Sequence, residues 1–566
     1  MKRKKYNTYC CDFETTPYNQ YLEEGKTRVY LWCLMNVDET FSKYGIDLPS
    51  FFSLLTELKE DNILIYFHNL TFDGEFILWY LLENGFECVE EMNNINNTFE
   101  TTIDDVNSIY KIVVCLNNKL IEFRCSYKLF PKSIEDIGEM VGVKKLNETH
   151  NYDEFKNYNT LEEVKEEEIK YITNDVIIMC KLIKYLNSVG INAITMSTSA
   201  YKNWRKEKYM FCKYNLIKDE NDEINEIVRK SYRGGITKVN EKYVNKELDS
   251  VMSFDVNSLY PSVMYDNPTP IGMGKIYKNI KECKKDGRYL YIVVFVCIKA
   301  TIKKGYHSFI GSTSGFTYSR KYSYDDVIDN KVLYLWGKEF DLFKRVYEVH
   351  GEILKVVGWK KANNVFKDYI ERWYKVKENA KSGAERQLAK LMLNSLYGKF
   401  GMNDNRVSKV PVGYDEDGII YKMVDKTTTY YDKKVASFIT SCARVKYATM
   451  MNLLGDRFVY GDTDSLYITG NTIPKEFDGI VDNKKMGYWK YEGHYIRFKA
   501  LKAKCYIKQL ENGEIERKIA GCPKDTATLI NFDNFNIGLK LENCKKLKRK
   551  VEGGIVITKT NFTINV

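Results

Sequence analysis

Twice in this chain two carboxylates stand two positions apart inside runs that otherwise read as strand: Asp12 and Glu14 in Cys-Asp-Phe-Glu-Thr-Thr, and Asp462 and Asp464 in Phe-Val-Tyr-Gly-Asp-Thr-Asp-Ser-Leu-Tyr-Ile. Side chains alternate across a strand, so each pair emerges on one face, as two ligands of a common cation do. The second pair lies at the polar centre between two strand-like runs, which predicts a hairpin. An alternating acid pair by itself more often marks an exposed edge strand, so the surrounding segments decide.

Around the first pair they favour chemistry. Asp73 follows in Tyr-Phe-His-Asn-Leu-Thr-Phe-Asp-Gly-Glu-Phe, directly after the apolar run from Asn62 to Phe67. A long helix is predicted further on. Thr160 and Glu163 make a capping box ahead of it, and Ile172, Val176, Met179, Ile183 and Leu186 repeat at helical spacing. Tyr171 and Asp175 lie four apart on one face of that helix, so four acids and a phenol can converge. Hydrolysis of a phosphodiester calls for two divalent ions roughly 3.5–4 Å apart. Hard carboxylate oxygens suit magnesium or manganese.

Two further segments match the acid hairpin. Ser253 to Pro261 (Ser-Phe-Asp-Val-Asn-Ser-Leu-Tyr-Pro) reads as a buried strand, a turn and a helix with Pro261 in its first turn, which sets Asp255 at a strand end. Amides at Asn257 to Leu259 would face the turn and can take phosphate oxygens. In Lys390 to Gly398 (Lys-Leu-Met-Leu-Asn-Ser-Leu-Tyr-Gly), the residues Arg386, Lys390, Asn394 and Tyr397 form one helical stripe, cationic, then polar, then aromatic. Downstream, Lys502, Lys504, Tyr506 and Lys508 alternate and are expected on one face of a strand, as a phosphate-tracking surface needs.

In order and spacing, Asp12, Glu14, Asp73, Tyr171 and Asp175 resemble the three exonuclease motifs of proofreading nucleases with a ribonuclease H-like fold. D-x-x-S-L-Y-P, K-x-x-x-N-S-x-Y-G and Y-x-D-T-D-S resemble the A, B and C motifs of family B DNA polymerases. The resemblance implies that Asp12, Glu14, Asp73 and Asp175 hold two metal ions, with Tyr171 orienting the attacking water and either Lys144 or Lys145 beside the scissile phosphate. His68, Asn69, Phe72, Ser126 and Phe130 would line the groove for single-stranded DNA. In the second site Asp255, Asp464 and the Val256 carbonyl would hold two magnesium ions, with Asp462 in support. Ser258, Leu259, Tyr260, Lys377, Arg386, Lys390, Asn394 and Tyr397 would bind the deoxynucleoside triphosphate, and Tyr260 would exclude ribonucleotides. Tyr232, Gly234 and Gly235 of a Y-x-G-G segment, Arg444, and Lys504 with Tyr506 of a K-x-Y segment would contact primer-template DNA.

Composition agrees with a packed multidomain enzyme: 566 residues, 44% hydrophobic, with 44 Tyr and 28 Phe. The net charge of +10 is modest for a polyanion-binding chain. The 14 cysteines form no C-x-x-C, so neither a zinc site nor a disulfide framework is legible, and the chain reads as reduced and cytoplasmic. No apolar signal region follows the basic N-terminus. The longest apolar run, Tyr289 to Ile298, is too short to span a bilayer and is expected to be a buried strand.

The expected architecture is α/β plus α+β. An exonuclease domain (1–190) is followed by a linker and first part of the palm (191–267), fingers (366–401), palm (433–522) and thumb (523–566). Two insertions, 268–365 and 402–432, are similar in placement and size to the terminal-protein regions of protein-primed family B polymerases, especially the replicases of small Bacillus phages. That likeness implies a monomer primed by a terminal protein and a processive, strand-displacing enzyme. The rival readings are a family B polymerase primed by RNA or DNA, a stand-alone repair nuclease, and a DNA-binding scaffold with dead centres. A scaffold would be expected to have lost a metal carboxylate, and every expected acid is present. The basic tract Lys545 to Lys550 is either a solvated face or a nucleic-acid contact.

Overall fold

Apolar residues fill both faces of the first strand, Asn7–Thr15, so it must lie inside a sheet covered on both sides. The computed structural model describes residues 6–16, 26–146, 158–216, 220–311, 324–403, 405–427 and 432–565. It places this strand third in a mixed eight-stranded sheet, antiparallel to Val29–Asn36 and parallel to Asn62–Phe67. Tyr9, Cys11 and Phe13 pack with the helices Leu48–Glu57 and Asp73–Glu83, whereas Cys10 packs with the helix Glu166–Ser188. Alternation therefore turns Asp12 and Glu14 toward the helix that carries Tyr171 and Asp175.

The helical stripe is buried as its periodicity predicts, but the helix starts later than expected. Thr160 caps only the short turn Leu161–Glu163 and makes no side-chain cap, while Glu163 reaches back to the Asn159 amide at 2.9 Å. Lys165 precedes the helix proper, since the chain is extended at Val164.

A second, antiparallel sheet of five strands runs Trp489–Tyr495, Val251–Val256, Ser465–Thr469, Phe458–Asp462, Thr237–Val239. Its register sets Asp255 opposite Ser465, and the Val256 amide donates to the Asp464 carbonyl at 2.9 Å. The helices Lys367–Glu378 and Gly383–Phe400 form a hairpin beside it. The segment 268–365 builds a four-stranded sheet of its own, in which the apolar run becomes the strand Leu290–Ile302. The segment 402–432 is a two-stranded ribbon, Asn405–Asp415 with Gly418–Thr427. The tail is another ribbon, Lys540–Val551 with Gly554–Thr563.

Both ribbons dock on the N-terminal unit. Glu75, 2% exposed, accepts a hydrogen bond from the Tyr421 hydroxyl at 3.1 Å and pairs with Lys550 at 2.8 Å, so one buried carboxylate ties three units together. Trp79 packs on Tyr414, and the Ser408 hydroxyl donates to the Ile103 carbonyl. Among the described residues no helix is long and apolar enough to cross a membrane.

The expected single strand face of Lys502, Lys504, Tyr506 and Lys508 is not found. The strand Arg497–Lys502 ends, the chain turns through Lys504 at φ 58°, and a new strand, Cys505–Gln509, returns antiparallel. Lys508 is buried against the Tyr495 hydroxyl and Glu516 instead of following a phosphate path.

Candidate functional site

Between the five-stranded sheet and the helical hairpin lies a cleft of about 1210 Å³. Its lining gathers Asp255, Val256, Ser258, Leu259, Tyr260, Lys377, Arg386, Lys390, Asn394, Tyr397 and Asp464, residues drawn from three distant stretches of chain. Burial, then the Asp464 and Glu492 charges, push Asp255 up to about 7, with Lys490 and Lys390 pulling the other way. Asp464 is raised as well, chiefly by burial. Such a pair is short of positive charge and offers hard oxygens, which fits a divalent ion.

Asp462 is placed differently from its neighbour. Lys504 holds its carboxylate at 2.7 Å, and the Thr237 hydroxyl donates to it at 2.9 Å. It therefore anchors the hairpin. Tyr260 stacks on Tyr397 with centroids 4.2 Å apart, and Lys377 reaches the Ser258 hydroxyl at 3.3 Å. Of the three expected phosphate-facing amides, that of Asn257 is taken by the Tyr488 carbonyl, which leaves the turn to Ser258 and Leu259. Ser258 itself sits at φ 53°, the left-handed bend that aims this turn into the cleft.

In the N-terminal unit Asp12, Glu14, Asp73 and Asp175 are electrostatic neighbours. Burial, with Asp73, Glu14 and Asp175 adding to it, raises Asp12 well above the usual carboxylate range; burial carries Asp73 to about 7. No three acids, His or Cys close on one point among the described residues. The four acids form a neighbourhood, with Lys145 drawing Asp175 into an ion pair and lying 4.8 Å from the centre of the Tyr171 ring. Lys144 meets this helix through its backbone, where its carbonyl accepts from the Asn174 side chain at 3.1 Å.

A family model described as DNA polymerase type B, organellar and viral, matches residues 54–478. The chain belongs to that family. The polymerase is 32% identical to the DNA polymerase of Bacillus phage Nf and 30% identical to that of Bacillus phage phi29, in both cases over 100% of each chain. It is 32% identical to the DNA polymerase of Streptococcus phage Cp-1 over 98% of each. Phi29 DNA polymerase complexed with primer-template DNA and incoming nucleotide superposes at a TM-score of 0.89 and 29% identity, covering 99% of this chain and 100% of that one. The same enzyme complexed with single-stranded DNA gives 0.87 at 28% identity, with the same coverage.

Several residues expected to contact DNA also brace the polymerase's framework. Arg444 is 3% exposed; its guanidinium holds Glu339 at 2.9 Å and donates to the Arg233 and Gly234 carbonyls. Arg233 pairs with the same Glu339 at 3.3 Å, so the Y-x-G-G segment is extended and braced from both sides, not turned as a hairpin. Gly235 fits because a Cβ there would meet the Thr463 side chain at 2.7 Å. Tyr232 is half-buried, with its hydroxyl packed against Gly401. Tyr506 is buried among Tyr460, Tyr467 and Phe498.

Ser126 and Phe130 are fully buried, which removes them from the groove. Ser126 positions His68: the imidazole Nδ1 lies 3.0 Å from its hydroxyl and Nε2 lies 2.9 Å from the Lys132 carbonyl. A carbonyl only accepts, so Nε2 carries the proton and Nδ1 receives the serine hydroxyl. Phe72 is partly exposed beneath Lys548 of the tail ribbon, at 5.7 Å, and Asn69 takes the left-handed conformation at φ 66°. Motif spacing missed Tyr374, Glu378, Gln387, Asn483, Lys484, Lys490 and Glu492, all of which line the cleft. The alternation of Lys490 and Glu492 on a strand next to Asp255 was the available signal for two of them.

Burial lowers His68 from 6.5 to about 4. Between those values the unfolded chain binds more protons at this position, so its contribution is whole above about pH 6.5 and is lost as pH falls toward 4. His68→Gln is therefore expected to shrink the loss of stability over that window by on the order of 2–3 kcal/mol. Urea titrations of both proteins at a series of pH values check this. Parallel curves for the two would contradict it.

Proposed function

We propose that this type B polymerase copies DNA from a terminal-protein primer, displaces the non-template strand and removes misincorporated nucleotides with a 3′→5′ exonuclease. One observation carries the reading: a single cleft collects both acids, the cationic stripe and the stacked Tyr260–Tyr397 pair from three sequence-distant motifs. The phi29 enzyme, whose fold this chain shares, is known in complex with primer-template DNA and incoming nucleotide.

Asp255, Asp464 and the Val256 carbonyl would hold magnesium or manganese, two ions per site; such ions acidify the primer 3′-hydroxyl and neutralise the departing pyrophosphate. Lys377, Arg386 and Lys390 bind the phosphates with the Ser258 and Leu259 amides. Tyr260, fixed by its stack on Tyr397, sits under the sugar and clashes with a 2′-hydroxyl, while Asn394 and Tyr397 face the nascent base pair. Lys504 meets the primer while keeping Asp462 paired. Tyr232, Gly234 and Gly235 carry template between the two sites.

In the exonuclease, Asp12, Glu14, Asp73 and Asp175 would hold the ions. Tyr171 orients water, Lys145 faces the scissile phosphate, and His68, Asn69 and Phe72 border the single strand. The proposed domains are exonuclease 1–190, linker and first part of the palm 191–267, fingers 366–401, palm 433–522 and thumb 523–566, with 268–365 receiving the terminal protein and 402–432 splitting the duplex. Full-length likeness to phage polymerases supports work in a host cytoplasm, where we expect the chain to act as a monomer.

Asp464→Asn is expected to depress primer extension by about a thousandfold or more and to leave single-strand digestion intact. Asp12→Ala with Asp73→Ala is expected to do the reverse. Loss of both activities in either protein would show that the two sites are not separable. Priming has its own check: a labelled deoxynucleotide should become covalently attached to the cognate terminal protein at a cognate origin. Its absence, with ordinary primer extension retained, would remove protein priming alone.

A further inference from the structure

Lys484 and Lys485 are sequence neighbours that the fold treats differently. The Lys485 amine is 2.7 Å from the Tyr488 hydroxyl and 4.1 Å from the centre of that ring. Lys484 is exposed, lines the cleft that holds Asp255 and Asp464, and makes no ion pair with a described residue. Asp482 is near enough to interact with it electrostatically, but its Oδ1 already accepts the amides of Lys484 and Lys485 at 2.7 Å each.

The loop bearing these lysines is built onto the turn that carries the phosphate-facing amides. Asn257 donates from its side chain to the carbonyls of Asp482 at 2.7 Å and Lys485 at 3.2 Å. Its backbone exchanges two further bonds, one to the Tyr488 carbonyl at 2.9 Å and one from the Gly487 amide at 2.8 Å. Across the mouth of the cleft, the Tyr374 hydroxyl donates to the Lys484 carbonyl. Tyr374 lies one helical turn before Lys377, whose amine reaches Ser258 at 3.3 Å. The backbone of Lys484 is thereby held on the cleft wall that Ser258 and Lys377 also line.

We propose that Lys484 is a further phosphate-binding residue of the polymerase, a fourth cation that meets the outer phosphates of the incoming triphosphate and the departing pyrophosphate. This deepens the polymerase reading and rests on it. Lys377, Arg386 and Lys390 line the same cleft, and a bound polyanion is the ligand that would draw a further exposed cation to them. Asn257 and Tyr374 are its positioning residues, since they hold the backbone of the loop.

The experiment is single-nucleotide incorporation by the full chain on a primer-template, with the deoxynucleotide varied, together with pyrophosphate-driven reversal. Lys484→Ala is expected to raise the KM for the nucleotide, and the pyrophosphate concentration for half-maximal reversal, by about five- to tenfold, with kcat changed by less than about twofold. Lys484→Arg should restore both constants, and Lys485→Ala should leave them unchanged. Unchanged constants in Lys484→Ala would overturn the inference alone. Weakened primer-template binding with an unchanged nucleotide KM would overturn it too, by assigning the residue to DNA. A wild-type chain that incorporates no nucleotide would overturn the polymerase reading along with it.

Discussion

Asp255 and Asp464 stand side by side because the backbone leaves them no alternative. Their strands are paired in register, and an amide of one bonds to the carbonyl of the other's acid. Two carboxylates withdrawn from water repel each other and favour protons, as the raised values of both show. Much of the surrounding structure tolerates that arrangement. Lys390 comes from the helical hairpin, Lys490 from the neighbouring strand and Lys504 from the turn beyond. Asp462, whose charge also raises Asp464, is paired with Lys504. The cleft has the polarity a nucleoside triphosphate with its divalent ions requires, negative at one end and strongly positive along one wall.

The carboxylates were legible in the sequence because alternation and helical periodicity are local. Asp12 with Glu14, Asp255, and the Arg386-to-Tyr397 stripe fall where their spacing puts them. What sequence could not give depends on partners far along the chain. Arg444 looks like a DNA contact until Glu339, supplied by the first insertion, buries it. Ser126 looks like a groove residue until His68 folds back onto it. The alternation of Lys502 to Lys508 fails at one left-handed residue, Lys504, which turns an apparent strand into a hairpin. Tyr374 and Lys484 belong to no motif and meet only because Asn257 anchors a loop more than two hundred residues downstream.

The ribbons also explain how the two acidic neighbourhoods share one body. Glu75 lies one turn from the start of the helix that begins with Asp73, and its carboxylate receives Tyr421 from the second insertion and Lys550 from the tail ribbon. Lys550 lies over the Tyr421 ring at 4.0 Å, and Ile419 and Ile555 enter the N-terminal core. These contacts are buried and hydrogen-bonded, so salt screens them little.

The most direct test of the account is extension of an end-labelled primer on a circular single-stranded template, with magnesium, all four deoxynucleotides and no accessory protein. The predicted result is products longer than the circle, which require synthesis and displacement by one chain. Products that stop at one circumference would contradict the role given to the second insertion, and a primer that is only shortened would contradict the polymerase itself.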